Sequence, residues 1–128
     1  MLALEHLLQP FGLDLSRRTK LVRHQDQRID VAALYRADQF EIYQSFQSRP
    51  VFSACDQIVS FLGEAGTHAV FVGVYHVIGV TGPSPGRLPD DFLFPSLNVP
   101  NHYLYNLSRD DRFVDLKDRL VIDWGIGT

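Results

Sequence analysis

The sequence predicts one α+β, β-rich domain: a small mixed or antiparallel pseudo-barrel with short flanking helices. Residues 57–62 and 69–80 are runs of β-branched, aromatic and small apolar residues, separated by a turn with two glycines, which predicts an antiparallel hairpin. The chain has 128 residues, 45% of them hydrophobic, so it can bury a core without a disulfide or a metal. Residues 1–128 are therefore predicted to form a single domain.

Three short elements are predicted ahead of the hairpin. Residues 1–8 have the pattern of an amphipathic helix that ends before Pro10. Asp30 can accept the unpaired N–H groups of a first helical turn, which predicts a helix over residues 31–36. Residues 40–46 alternate apolar and polar side chains, which predicts a strand with one wet face. One face of that strand would carry Phe40, Ile42, Gln44 and Phe46.

The second half of the chain alternates between strand and loop signals. Gly73, inside the longest apolar run, predicts a bend or a close backbone approach. Residues 81–101 hold five of the seven prolines and predict a long loop. Strands are predicted over residues 102–107 and 119–124. The first of these would place Tyr103, Tyr105 and Leu107 on one face. Between the two strands, one or two helical turns are predicted around Phe113 and Leu116.

The composition excludes several classes of function. Cys55 is the single cysteine, so no internal disulfide can form, which predicts a reducing, cytoplasmic location. Its neighbours Phe52 and Ala54 favour a buried structural thiol over a nucleophile. The sequence has no apolar run of about 18 residues, so no membrane contact is predicted. The five histidines lack metal-ligand spacing and no nucleophile motif is present. We therefore predict no catalytic residue, no metal and no cofactor.

Cations are concentrated in one segment, although the net charge of the chain is −3. Residues 17–28 contain one acid and five bases, namely Arg17, Arg18, Lys20, Arg23 and Arg28. A local basic surface on an acidic protein suits contact with one phosphate backbone. A solvated basic loop has the same composition, and charge alone favours that simpler interpretation.

Residues 43–50 combine aromatic rings, amides, hydroxyls and one arginine. A pocket for a flat heterocycle needs this mixture, because rings stack on the base, amides bond its edge and arginine holds a phosphate. The candidate base-pocket residues are Tyr43, Gln44, Ser45, Phe46, Gln47 and Ser48, with Trp124 as a stacking wall. An edge strand that runs into a polar turn is an equally weighted alternative.

Residues 55–62 (CDQIVSFL) and 69–77 (AVFVGVYHV) resemble the central hairpin of PUA-like and EVE-type domains. In both, an acidic residue opens a strand with an aromatic near its end, and a strand with an apolar–Gly–apolar pattern follows. Residues 102–105 (HYLY) fall where such domains place a later aromatic strand. The resemblance implies a PUA-like fold and a partner such as a flipped or modified base, or RNA, bound in a cleft beside the barrel.

A closer resemblance is to a domain that precedes GIY-YIG nuclease modules in bacterial proteins. The matching stretches are residues 20–26 (KLVRHQD), 43–52 (YQSFQSRPVF) and 119–125 (RLVIDWG). The GIY and YIG strands are absent from the sequence, so no catalytic role is implied for this chain. The resemblance implies a targeting domain that senses a modified base in DNA for an attached nuclease. The end at Thr128, directly after a predicted strand, predicts the N-terminal part of a longer chain.

The preferred hypothesis is a nucleic-acid-binding targeting domain, with DNA more expected than RNA. The predicted phosphate-binding residues are Arg17, Arg18, Lys20, Arg23 and Arg49. The alternative is a protein–protein or regulatory module that exposes Phe92, Leu93 and Phe94 in the proline-rich loop 81–101.

A third hypothesis, a hydrolase using Asp123 and a histidine, lacks a recognisable arrangement. The acid pair Asp110–Asp111 is interleaved with bases and is predicted to be solvated ion-pair surface.

Overall fold

A single mixed sheet organises the part of the chain that the computed structural model describes. The described residues are 8, 10, 12–14, 16–25, 29–47, 49–63, 68–84, 88–97, 102–117, 119 and 121–123. The strands are β1 (Thr19–His24), β2 (Phe46–Gln47), β3 (Gln57–Gly63), β4 (His68–Ser84), β5 (His102–Arg109) and β6 (Val121–Asp123). The sheet order is β1-β3-β4-β5-β2, and β6 pairs with the beginning of β4.

The sheet contains one parallel pair. Strand β1 runs parallel to β3, with Thr19 opposite Gln57 and His24 opposite Leu62. The other four strand pairs are antiparallel. The predicted α+β, strand-rich class with a mixed sheet and short helices is therefore confirmed. No helix of the described residues is long and apolar enough to cross a membrane.

The hairpin that dominated the prediction is present. Strands β3 and β4 pair antiparallel, and β4 extends to 17 residues, so it includes residues 81–84 of the predicted loop. The register shifts where Ser60 faces Gly73 but Phe61 faces Phe71, which leaves Val72 as an extra residue. A Cβ on Gly73 would lie 3.2 Å from the Tyr75 ring. The irregularity lies at Gly73, where a bend was predicted, and the neighbour of Gly73 is a side-chain ring instead of another backbone segment.

Alternation along β3 divides the core between the two faces of the sheet. Val59 and Phe61 pack on one face in a cluster that also holds Leu8, Leu13, Ala69, Phe71, Val74 and Phe113. Ile58 packs in a second cluster with Phe52, Tyr75 and Tyr105. Tyr103 and Leu107 pack against that same cluster, which confirms the face predicted for the strand at 102–107.

Helix α1 (Val31–Arg36) begins where the sequence predicted it. The backbone N–H of Ala33 donates to Asp30 Oδ1 at 3.3 Å, so the aspartate caps the first turn. Val31 and Leu34 are buried, and Asp30 also forms a 3.4 Å ion pair with Arg36. The short helix is therefore held by one cap and by its apolar face.

We expect Asp30→Ala to lower the free energy of unfolding by about 1 kcal/mol, because the first turn loses its side-chain acceptor. Asp30→Asn is the matched control, since asparagine caps as well as aspartate but cannot form the ion pair with Arg36. Urea unfolding of both variants checks the expectation. Equal losses would assign the effect to the ion pair instead of the cap.

The strand predicted over residues 40–46 is wrong. Residues Phe40–Ser45 form helix α2, and only Phe46–Gln47 are extended, as β2. Phe40 and Gln44 are buried while Ile42 is exposed, which is helical spacing and not the alternation of a strand. A stretch of only seven residues fits both the helical period and the strand period. The packing of α2 against the sheet selected the helix.

Helix α2 connects the two edges of the sheet. It leads directly into edge strand β2, which pairs with β5. Two residues before β2, Gln44 Oε1 lies 2.8 Å from Nε2 of His24, the last residue of the opposite edge strand β1. Helix α2 therefore contacts one edge strand through Gln44, and the residue that follows it begins the other edge strand.

Two further expectations about loops need correction. Phe92, predicted to be exposed, is 4% exposed and packs with Leu34 and Leu88, whereas Leu93 is exposed and Phe94 is half-buried. Asp110 is also buried, so it is not the solvated acid that was predicted.

The C-terminal elements agree with the prediction. A 3-10 helix, Asp111–Leu116, carries the buried Phe113, and β6 covers part of the predicted last strand. The predicted helix at 1–8 and the hairpin turn at 64–67 lie outside the described residues, apart from the buried Leu8.

Candidate functional site

An open cleft of about 540 Å³ lies along edge strand β1. Its wall on one side is β1 itself, and its other wall is the turn that precedes β3. The lining residues are Arg18, Thr19, Lys20, Leu21, Val51, Ala54 and Cys55. The cleft therefore joins two predicted phosphate-binding residues to an apolar surface that the sequence did not single out.

Lys20 is the cation of the cleft that has no acidic partner among the described residues. Its Nζ donates to the Val51 carbonyl at 3.0 Å and lies 5.9 Å from the centre of the Phe52 ring. No carboxylate of the described residues forms an ion pair with it. Lys20 is exposed at the edge of the sheet, where an anion can approach it.

Arg18 is already neutralised. Its guanidinium forms two bonds to Asp56, Nη2 to Oδ1 at 3.0 Å and Nε to Oδ2 at 3.3 Å. Hydrogen bonds from the side chain and backbone of Arg18 lower the pKa of Asp56, so the carboxylate stays charged. Arg18 consequently shapes the rim of the cleft and adds little net charge to it.

The other three predicted phosphate-binding residues occupy different positions. Arg17 is exposed, with Nη1 3.2 Å from His76 Nδ1. Arg49 is exposed in the turn on the far side of the cleft, where its carbonyl accepts from Val51 N at 2.8 Å. Arg23 is half-buried and donates to Gln25 and to the His68 carbonyl, which ties it to the opposite end of β1. Of the five predicted phosphate-binding residues, Arg18 and Lys20 therefore line the cleft, and Arg17, Arg23 and Arg49 are not among its lining residues.

Cys55 lies in the cleft wall as a half-buried thiol. Its Sγ donates to the Phe52 carbonyl at 3.3 Å. Desolvation is the main cause that raises the pKa of the thiol, so the nucleophilic thiolate is disfavoured. This environment supports the structural role that the sequence predicted.

The predicted base-pocket residues that the structure describes, at positions 43–47, do not line this cleft. Tyr43 and Phe46 pack beside Leu34 and Phe92 in an apolar cluster, and Phe46 also stacks on His102 with 3.7 Å between ring centres. Gln44 is 0% exposed. The physical reason is the helix at residues 40–45, which turns this stretch toward the core. Ser45 and Gln47 are half-buried, and Ser48 and Trp124 lie outside the described residues.

Gln44 is the centre of a buried polar network. Its Oε1 accepts from Ser60 Oγ and lies 2.8 Å from His24 Nε2, so that nitrogen carries the proton. Burial lowers the pKa of His24 from 6.5 to about 4, and the hydrogen bond to Gln44 offsets part of that effect. His24 is therefore neutral at pH 7. The network fixes α2 against β1 and β3 instead of facing a ligand.

A second polar cluster, which the sequence did not indicate, lies on the sheet face opposite to Lys20, because His76 pairs with Gln57 and Gln57 pairs with Thr19. His76 Nε2 is 3.0 Å from Asp110 Oδ2, and Arg112 binds the same carboxylate through Nη2 at 2.6 Å and Nε at 2.9 Å. The Arg112 bond is the main cause that lowers the pKa of Asp110 far below its usual range. Residues 76 and 110 are neighbours because β4 pairs with β5. No sequence motif indicates this proximity, since the two residues are 34 positions apart.

Together these features define a class of protein: a small α+β domain with a mixed sheet and a cleft along one edge strand that contains Arg18 and Lys20. No protein family, curated protein or solved structure matches the chain. Its function must therefore be inferred from its own residues.

Proposed function

We propose that this chain is a nucleic-acid-binding targeting domain that docks a phosphate backbone along the cleft beside β1. The observation that carries the proposal is the open cleft of about 540 Å³ with Arg18 and Lys20 in its lining. Among the described residues, Arg17 and Lys20 form no ion pair with an acid. Cations that are exposed and unpaired are those that exchange counterions for phosphates.

The size and lining of the cleft suit one nucleotide. Pockets for small ligands enclose roughly 300–1,000 Å³ and combine apolar walls with a few polar groups. Leu21, Val51 and Ala54 provide the apolar wall, and Lys20 stands at its edge for a phosphate. We therefore place the extruded or single-stranded base in this cleft, and not against the buried Gln44. DNA is the preferred partner, as the resemblance to nuclease-associated domains implies.

The proposal includes the finer fold class, a PUA-like pseudo-barrel. The mixed sheet, the bulged strand β4 and the contacts of α2 with β1 and β3 support it. Recognition of a modified base on behalf of an attached GIY-YIG-type nuclease rests on the sequence resemblance alone. The alternative hypothesis, a protein–protein interaction module, required Phe92, Leu93 and Phe94 to be exposed. Of these three residues only Leu93 is well exposed, because Phe92 is buried and Phe94 is half-buried.

We expect Lys20→Gln to weaken binding of a labelled DNA oligonucleotide by about three- to tenfold, because one phosphate contact is lost. Fluorescence anisotropy over a series of salt concentrations is the measurement. The slope of log K against log salt should become shallower by about 0.7–0.9, the value for one phosphate. The measurement is repeated with oligonucleotides that contain plain or modified cytosine, each as a single strand and as a duplex. Equal binding of plain and modified oligonucleotides indicates contact with the backbone, and a difference between them indicates recognition of the base.

Arg36→Gln is the matched control for Lys20→Gln. Arg36 is an exposed cation in α1 whose partner is Asp30, and it lies outside the cleft lining. Its removal changes the net charge equally and should leave binding within about twofold. Equal losses in the two variants would show a general charge effect, and absence of binding by the unmodified protein at low salt would end the proposal.

A further inference from the structure

The cleft lies along the outer edge of β1 and not on one face of the sheet. Its lining includes four consecutive residues, Arg18, Thr19, Lys20 and Leu21. Successive residues of a strand direct their side chains to opposite faces of the sheet. A surface that touches all four residues is therefore the edge of the strand, where backbone N–H and C=O groups are presented to a partner.

The backbone groups of Thr19 and Leu21 point outward from this edge. The Arg18 carbonyl accepts from Gln57 N at 3.2 Å, and Thr19 lies opposite Gln57 in the parallel register. The N–H and C=O of one residue point to the same side of a strand, and the side alternates along the chain. The residues at even positions of β1 therefore face β3. Among the described residues, no backbone group bonds the N–H or the C=O of Thr19 or Leu21 outside the sheet.

The Thr19 C=O and the Leu21 N–H form an acceptor and a donor on the two sides of Lys20. The Watson–Crick edge of each nucleobase carries a hydrogen-bond donor next to an acceptor, and proteins that hold an extruded base bond this edge. The backbone of a strand is already fixed by the sheet, so little conformational freedom is lost when a base binds. A base in the cleft can therefore pair with β1 as a further strand would.

The rest of the cleft suits a base in this orientation. Val51 and Ala54 form an apolar wall across from the edge. Lys20 is exposed, and its Nζ donates to the Val51 carbonyl at 3.0 Å, so the ammonium group lies between the strand and that wall. A base that bonds the edge of β1 has its ring beside the apolar wall and a cation beside it for a phosphate.

A second copy of β1 is a poor partner for the same edge. Residues 17–23 carry four cations and no acid. Two copies paired along this edge would place like charges opposite each other, which destabilises a strand pair. A single-stranded polyanion offers hydrogen-bonding groups together with the opposite charge.

We propose that the edge of β1 binds the Watson–Crick edge of one unpaired base, with the Leu21 N–H as donor and the Thr19 C=O as acceptor. This inference rests on the proposed function and adds to it the class of substrate, which is a single-stranded segment or an extruded base. A base that is paired within a duplex has this edge occupied and does not fit.

The nucleic-acid side is tested with two labelled thymidine oligonucleotides of about 10 nucleotides, measured by fluorescence anisotropy. One contains thymine and the other contains N3-methylthymine. The methyl group removes the N–H donor of the Watson–Crick edge and keeps the ring and the number of phosphates. We expect the methylated oligonucleotide to bind about tenfold more weakly, with the same salt slope, because the phosphate contacts do not change.

The protein side is tested by replacing Leu21 with its α-hydroxy acid analogue, which turns one backbone N–H into an ester oxygen and keeps the side chain. Binding of the thymine oligonucleotide should weaken by about three- to tenfold. Binding of the methylated oligonucleotide should stay within about twofold, because its base does not bond the edge. The same replacement at Val22 is the matched control. Its N–H points to β3, so this ester should lower the urea midpoint more and leave binding within about twofold.

Three outcomes would overturn this inference and leave the proposed function standing. They are equal binding of the two oligonucleotides, a methyl effect that persists in full in the Leu21 ester, and a dimer of the unmodified protein that the Leu21 ester dissociates. The last outcome would show that β1 pairs with a second copy of the chain. Absence of binding to both oligonucleotides at low salt would overturn the inference and the proposed function together.

Discussion

Replacing Gln44 with leucine is expected to lower the free energy of unfolding by about 3 kcal/mol. Gln44 Oε1 is the shared acceptor for Ser60 and His24, and all three side chains are buried. Leucine fills a similar volume but leaves two buried donors without a partner, and each such group costs about 1–3 kcal/mol. Urea unfolding followed by circular dichroism is the measurement.

Gln47→Leu is the matched control for Gln44→Leu. Gln47 is half-buried, and its amide makes one bond to the Gln44 carbonyl, at 2.7 Å. The same chemical change there should cost less than about 1 kcal/mol. Both residues belong to the base pocket that the sequence predicted. Gln44→Leu could instead leave stability unchanged and abolish oligonucleotide binding. In that case Gln44 would contact the base, and its assignment to a stabilising buried network would be wrong.

Lowering the pH from about 6.5 to about 4 is expected to cost the folded state about 3 kcal/mol through His24 alone. Its pKa falls from 6.5 to about 4 on burial, and one pKa unit corresponds to about 1.4 kcal/mol. The unfolded chain binds this proton first, because its pKa is the higher one. The stabilisation is therefore complete above about pH 6.5 and is lost as the pH falls through about 4.

Urea unfolding at several pH values, with His24→Leu as the comparison, isolates this contribution. The variant should be less stable at pH 7, because Gln44 loses a partner, but its stability should vary less between about pH 6.5 and 4. His68→Leu is the matched control, since His68 is exposed and should leave the pH dependence unchanged. Parallel pH profiles for the unmodified protein and His24→Leu would mean that His24 is not buried in neutral form.

The structural features that the sequence predicted correctly each depend on a local sequence pattern. The hairpin of β3 and β4, the cap at Asp30 and the shared face of Tyr103, Tyr105 and Leu107 each depend on residues close together in sequence. The apolar neighbours of Cys55 predicted a buried thiol, and the structure shows this thiol half-buried. In these cases local propensity and tertiary packing favour the same conformation.

The sequence predicted the basic residues of the candidate site but not its apolar wall. Charge clustering located Arg17, Arg18 and Lys20, because the three lie together in the sequence. The wall formed by Val51, Ala54 and Cys55 arises because β1 lies beside the turn before β3, more than 30 residues later. A contact of that range leaves no local pattern in the residues that make it.

The sequence by itself determined that this chain forms a strand-rich α+β domain with one strong hairpin and one basic segment. Only the tertiary structure decided that residues 40–45 are helical, that Gln44 is buried with His24, and that the basic segment is an edge strand. It also decided that His76 meets Asp110. A short amphipathic segment can fit both the helical and the strand period. The residues that it packs against in the folded protein determine whether it forms a helix or a strand.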